Sequence, residues 1–284
     1  MADDIMAVDV MNYLFTAESS KRDWEDSYEF NIVARTIFGA PGMHRPGFSA
    51  KEYVALMDDA GYDKVFIPAV KMWSHWNKDF VWNITTEEIQ EQVKQFPDRL
   101  VGIAGYNPYR ISESITDVRR AVKELGFKGV YIHCYGYNIP YDGPQWYPLY
   151  ETCVELGVPV SMQLGHSLEI MPSEYGRPLA LDRIALDFPD LTIIGSHTGW
   201  PWCEEMVAMA WKHANVYVDI SAHMPKYLDS ILMYNMNTRL RRKTLFGTNG
   251  MDIKGYKAQF MELKLKDETK QLVLRDNAIR VFKL

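Results

Sequence analysis

The chain has 284 residues, 47% of them hydrophobic and 24% charged, which is enough to bury a large core and close to the length at which an α/β barrel runs as one domain. Lys+Arg 31 against Asp+Glu 37 gives a formal net charge of -6 with no basic stripe, and this excludes the electrostatic footprint of a nucleic-acid binder. No apolar run approaches the roughly 18 residues of a membrane span, and Met1-Ala-Asp-Asp4 carries acid where a signal peptide needs base, so a cytoplasmic protein with no membrane partner is expected.

In chain order, short β-rich runs alternate with amphipathic stretches of helical length, the pattern of parallel strands joined by crossover helices. The first strand is expected over residues 6–11 and is followed by a long irregular stretch, about 15–48, holding Pro41-Gly42 and Pro46-Gly47. A loop of that kind after the first strand serves as an active-site cover or an oligomer contact. Then come a helix over 50–60, a strand over 64–69, a helix over 86–96, a strand over 100–106, a helix over 113–125 and a strand over 129–133. The second half continues with a helix over 147–156, a strand over 159–165, a helix over 179–188, a strand over 192–197, a helix over 201–213 and a strand over 216–221. A helix over 226–236, a strand over 244–249 and a closing helical pair within 256–282 complete the series.

Ser49-Ala-Lys-Glu52 and Thr85-Thr-Glu-Glu88 fit the capping box, and Gly61, Gly126 and Gly157 stand just past helix ends, where a left-handed residue is needed. Eight strands, each followed by a helix, make a (β/α)8 TIM barrel, a single domain over 1–284. An open doubly wound sheet would carry a glycine-rich turn after its first strand, but that turn reads Val10-Met-Asn-Tyr-Leu14. Cys134, Cys153 and Cys203 lack Cys-x-x-Cys spacing and are expected as reduced, buried thiols.

A barrel of this class places its active site at the C-terminal ends of the strands. The residues there are Asp9, Met11 and Tyr13 on the first strand, His133 on the fourth, Gln163 and His166 on the fifth, His197 on the sixth, Asp219 on the seventh, and Asn249 with Asp252 on the eighth. Three of the seven histidines therefore crowd one mouth. His213, at a helix C-terminus, reads as structural, and His44, His75 and His223 fall in loops.

The segments Thr192-Ile-Ile-Gly-Ser-His197-Thr-Gly-Trp-Pro201, Asn215-Val-Tyr-Val-Asp219-Ile-Ser221, Leu245-Phe-Gly-Thr-Asn249 and Asn277-Ala-Ile-Arg-Val-Phe282 resemble the amidohydrolase superfamily. The likeness is to its amidohydrolase-related branch, which holds aminocarboxymuconate semialdehyde decarboxylase and related aromatic-acid decarboxylases. Members with a full metal site place His-x-His after the first strand, His at the ends of the fifth and sixth, and Asp at the end of the eighth. Here those positions hold Met11 and Tyr13, Gln163, His197 and Asn249, so only His197 matches. The resemblance with these exchanges implies no tightly bound metal and no other cofactor, because one imidazole without a carboxylate is a poor zinc donor set. The alternative is a zinc or manganese ion on shifted ligands, His166, His197 and His133 with Asp252.

For a metal-free site, His197 and His166 are the expected acid/base pair, with Tyr13, Gln163 and Asn249 as neutral donors to a developing oxyanion. That set suits a lyase of decarboxylase or hydratase type, or a related hydrolase, acting on a small cyclic or aromatic, carboxylated or oxygenated compound. Trp73, Trp200 and Tyr135 are expected to bind a flat ring, with His133 beside them, and Arg177 to clamp a carboxylate. Arg45 and Lys71, on loops after the first two strands, read equally as clamps or as surface charges. Two further readings stay open, a metal-dependent relative with shifted ligands and an inactive barrel serving as a scaffold. A homo-oligomer is expected from the resemblance.

Overall fold

The computed structural model describes residues 5–284, so the acidic start at 1–4 lies outside the described residues. Among the described residues ten strands form: β1 (Ala7–Asp9), β2 (Tyr62–Pro68), β3 (Lys71–Trp73), β4 (Phe80–Asn83), β5 (Leu100–Gly105), β6 (Val130–Ile132), β7 (Val160–Gln163), β8 (Ile193–Ser196), β9 (Val216–Asp219) and β10 (Thr244–Leu245). Eight of them make one parallel sheet in the order β1-β2-β5-β6-β7-β8-β9-β10. The seam between its ends is drawn together by backbone hydrogen bonds from Val10 N to Phe246 O at 2.9 Å and from Asn249 N to Met11 O at 2.7 Å. The fold is a TIM barrel, as the alternation of strand and helix predicts.

The parallel strands read as near-continuous apolar runs because both their faces are covered. Every residue of β5, Leu-Val-Gly-Ile-Ala-Gly, is buried between the barrel interior and the helix layer. Two of the covering helices begin where the capping boxes in the sequence place them. Ser49 caps α3 (Ala50–Ala60), after the short α1 (Ala17–Ser20) and α2 (Tyr28–Ile37), and Thr85 caps α4 (Thr86–Val93); each pairs reciprocally with its glutamate, Glu52 or Glu88. The outer layer continues through α5 (Ile111–Lys123), α6 (Tyr147–Leu156), α7 (Leu181–Asp187), α8 (Cys203–Lys212), α9 (Ser230–Met236), α10 (Ile253–Glu262), α11 (Asp267–Gln271) and α12 (Asn277–Phe282). None of the helices is long and apolar enough to cross a membrane, among the described residues.

Three differences from the sequence reading bear on the site. The stretch 15–48 is not one loop: it holds α1, a π-helical turn (Lys21–Glu25) and α2, whose N-cap Ser27 accepts from Phe30 N. An antiparallel hairpin, β3–β4, stands over the mouth where no strand is expected. Strands β7 to β10 also end earlier than predicted, because the backbone leaves the ladder just past them, with φ of 68° at His197 and 59° at Asn249.

Candidate active site

The first strand ends in a polar knot. Asp9 Oδ1 accepts from Met11 N at 3.1 Å and Thr248 N at 3.0 Å, and Oδ2 accepts from Asn12 Nδ2 at 2.6 Å and Thr248 Oγ1 at 2.5 Å. Tyr53 seals it by donating to Asn12 Oδ1 at 2.6 Å. Burial raises the Asp9 carboxyl to about 7 against the pull of these donors. The knot aims the next side chain, Tyr13, over the barrel mouth.

There a cavity of about 400 Å³ opens, within the size range of small-ligand sites. Tyr13, Gln163, His197 and Asn249 line its base, and His166, Trp200 and His223 line one side. The other side comes from the cover segment and the hairpin: Trp24, Phe30, Phe38, Met43 and Arg45, with Met72 and Trp82. Trp82 locks cover to hairpin, its ring 4.9 Å from Trp24, 5.1 Å from Phe30 and 5.4 Å from Tyr13, and its indole N–H donates to Asp23 O at 2.7 Å. The buried Ser74 hydroxyl donates to Glu29 across the same junction.

Arg45 reaches into this cavity from the cover. It donates to Gly250 O at 2.7 Å and lies 4.6 Å over the Trp24 ring, and burial lowers its pKa. No carboxylate pairs with it among the described residues, and it is the one Lys or Arg among the lining residues. The one carboxylate in the wall, Glu169, is held by Ser167 Oγ at 2.7 Å.

The polar base is only partly satisfied. His197 Nδ1 lies 2.7 Å from Ser221 Oγ, whose hydroxyl donates to Asp219 Oδ1. Burial drives His197 down to about 3, so the ring is neutral near pH 7. His133 is also held down to about 3, by burial first and then by the nearness of His197. Both ring nitrogens of His133, Oδ2 of Asp219 and Oδ1 of Asn249 are buried without a partner among the described residues. Burial raises the Asp219 carboxyl and the Tyr13 phenol, so Tyr13 stays a neutral donor.

The fifth and sixth strand loops touch because Gly165 has no side chain. A Cβ there would stand 2.4 Å from the Trp200 carbonyl oxygen, which accepts from His166 N at 2.8 Å. The His166 ring consequently lies edge-on to Trp200 at 4.9 Å.

Of the residues expected to catalyse or to bind the substrate, Tyr13, Gln163, His166, His197, Trp200 and Asn249 line this one cavity and four stand elsewhere; Arg45 joins the lining, whereas Lys71 and Asp252 do not. Arg177 is spent on the surface, in a forked ion pair with Glu205, not on a ligand carboxylate. Trp73 stacks on Tyr137 and meets Tyr109 and Phe80 outside the cavity. Tyr135 is fully buried, its hydroxyl donating to Gly165 O at 2.9 Å, which makes it a strut for the fifth-strand loop. His133 lies beneath the base, against Tyr135 at 5.0 Å. Sequence reasoning passes over Met72, Trp82 and His223. Only His223 left a signal, two residues past Ser221 on the seventh-strand loop; burial holds it at about 4.

A family model described as Amidohydrolase matches residues 41–284. Among solved structures, an uncharacterised TIM-barrel protein from Bordetella bronchiseptica is 22% identical, with 98% of this chain and 99% of that one covered and a TM-score of 0.76. A 5-carboxyvanillate decarboxylase from Novosphingobium aromaticivorans, complexed with manganese and 4-hydroxy-3-methoxy-5-nitrobenzoic acid, is 15% identical over 99% and 97% of the two chains, with a TM-score of 0.73. A dihydroxybenzoic acid decarboxylase from Polaromonas, with bound manganese and 2-nitroresorcinol, is 18% identical over 99% and 97%, with a TM-score of 0.71.

The expectation of no cofactor is corrected by these relatives, which point to a metal instead. The side chains of this chain do not match a full ligand set. No group of three or more His, Cys, Asp or Glu is placed to hold an ion among the described residues, and Gln163 Oε1 already accepts from the Tyr131 hydroxyl.

Proposed function

The chain belongs to the amidohydrolase family, and on that premise we propose that it is a decarboxylase-type lyase for a small aromatic or cyclic carboxylate. The observation that carries this reading is Arg45, a half-buried guanidinium with no acidic partner among the described residues, facing an aromatic-walled cavity whose base offers neutral donors. A desolvated Arg without a counter-ion is costly unless a ligand supplies the anion. A flat ring with a carboxylate meets both needs, its face against Trp24 and Trp82 and its anion at Arg45.

Loss of carbon dioxide from such a ring needs a proton at the carbon that held the carboxylate. In this reading His197 takes the proton of a ring hydroxyl on Nε2 and returns it to that carbon. The C–C bond then breaks, its electrons restore the ring, and a solvent proton replaces the one taken, so the sum is RCOO⁻ + H⁺ → RH + CO₂. Tyr13 and Asn249 hold the oxygen on which charge develops. A neutral imidazole is the competent form for the first transfer, and burial keeps His197 neutral.

The test is carbon dioxide release from a panel of hydroxybenzoates and cyclic carboxylates, run both with manganese supplied and with a chelator. Turnover of at least one member, lost in His197→Gln, is expected. Failure across the panel in both conditions, or hydrolysis without carbon dioxide, would remove the proposal.

A further inference from the structure

We infer that Ser221 and Asp219 hold His197 in the tautomer whose proton is on Nδ1, leaving the Nε2 lone pair to the cavity. The inference takes its functional meaning from the reading of His197 as the proton-transfer group, but its structural content is independent of the substrate.

A hydroxyl has one proton to give, and a neutral imidazole has one donor and one acceptor nitrogen, so the direction of each bond in a closed chain can be deduced from its fixed end. Here the fixed end is Asp219 Oδ1. Two backbone amides already donate to it, Ser221 N at 2.8 Å and His197 N at 3.4 Å. An amide cannot reverse its role, so Oδ1 is an acceptor whatever the state of Oδ2. The Ser221 hydroxyl therefore spends its proton on Oδ1 and meets His197 Nδ1, 2.7 Å away, with a lone pair. Nδ1 must then carry the ring proton.

All three groups are buried, Ser221 at 0%, Asp219 at 1% and His197 at 7% exposure, so bulk water does not compete for these bonds. His197 Nε2 has no protein partner among the described residues, and the ring lines the cavity. Ser221 is thus a positioning residue: it touches no ligand and acts through the imidazole. Orientation of a histidine by the partner of its second nitrogen sets which atom faces the chemistry.

The experiment uses the full chain labelled with ¹⁵N-histidine, with His197 assigned by comparison with His197→Gln. Near neutral pH the His197 signals should show a protonated Nδ1 and an unprotonated Nε2. Ser221→Ala should lose that single pattern and lower kcat roughly 10–100-fold with KM nearly unchanged, as loss of an outer hydrogen-bond partner does. Ser221→Thr, which keeps the hydroxyl, should restore both. A wild-type spectrum with the proton on Nε2, or an unchanged spectrum in Ser221→Ala, overturns the inference. The wild-type spectrum decides even if a variant does not fold. The expected spectrum without turnover of any carboxylate would sink the functional proposal alone, and turnover with Nε2 protonated would sink this one alone.

Discussion

Asp9 and Asp219 are both buried carboxylates at the C-terminal ends of barrel strands, and their surroundings differ. Asp9 has both oxygens occupied, by four donors, two of them from Thr248 on the far side of the β10–β1 seam. Asp219 has three donors on Oδ1, its Oδ2 has only the Ser196 hydroxyl nearby and no bond of good geometry, and it sits in a region where Asn249 and His133 also keep unpartnered polar atoms. A buried network that is complete rigidifies, and one left incomplete forfeits stability unless something else completes it. The first is a clasp for the barrel; the second stands behind His197, which lines the cavity.

The largest expected effect separates chemistry from stability. His197→Gln should reduce kcat/KM for decarboxylation by about 10²–10⁴-fold while leaving the urea midpoint near that of the wild type, read by carbon dioxide release and by urea titration. Next, Asp9→Asn should destabilise the fold by about 3 kcal/mol, since an amide faces two former donors with the wrong group, whereas Asp219→Asn keeps its Oδ1 acceptor and should stay within about 1 kcal/mol. Equal losses for the two in urea unfolding would break the comparison. Arg45→Met should raise KM about tenfold with a smaller change in kcat, because it removes an anchor for the anion rather than a proton carrier; steady-state kinetics on a turned-over carboxylate would show it.

The two sides should also differ in the sign of their pH dependence. The folded pKa of Asp9, about 7, lies above its ordinary 3.8, so the native state binds the extra proton and its stability falls as pH rises from about 4 to about 7. The folded pKa of His133, about 3, lies below 6.5, so its contribution is intact above about 6.5 and is lost as pH falls toward 3. His133→Gln should therefore flatten the acid side of a stability-versus-pH curve by denaturant titration; an unaltered acid limb would mean that His133 is not buried as a neutral ring.

Much of this was legible in the sequence, and the reasons for the rest are local. All eight barrel strands announce themselves because burial on both faces demands apolar runs, and the capping boxes at Ser49 and Thr85 depend only on neighbouring residues. The hairpin β3–β4 does not, since Lys71–Trp73 is three residues long and gains its strand character only from pairing with Phe80–Asn83. Strand ends identify Tyr13, Gln163, His197 and Asn249 as neighbours, but a one-dimensional pattern cannot say which way a loop aromatic turns. Trp73 and Tyr135 turn into packing, while Trp82 and Arg45 turn to the cavity.

The left-handed backbone at residue 249, with φ of 59°, limits which side chains that corner of the mouth can present. β-Branched and bulky residues are strained there, while Asn and Asp tolerate the conformation because their short polar groups bond locally. The corner can therefore exchange carboxamide for carboxylate with little penalty in the main chain. Asn249→Asp changes the charge of the base without asking the loop to refold, which makes this position a natural handle for altering what the barrel accepts.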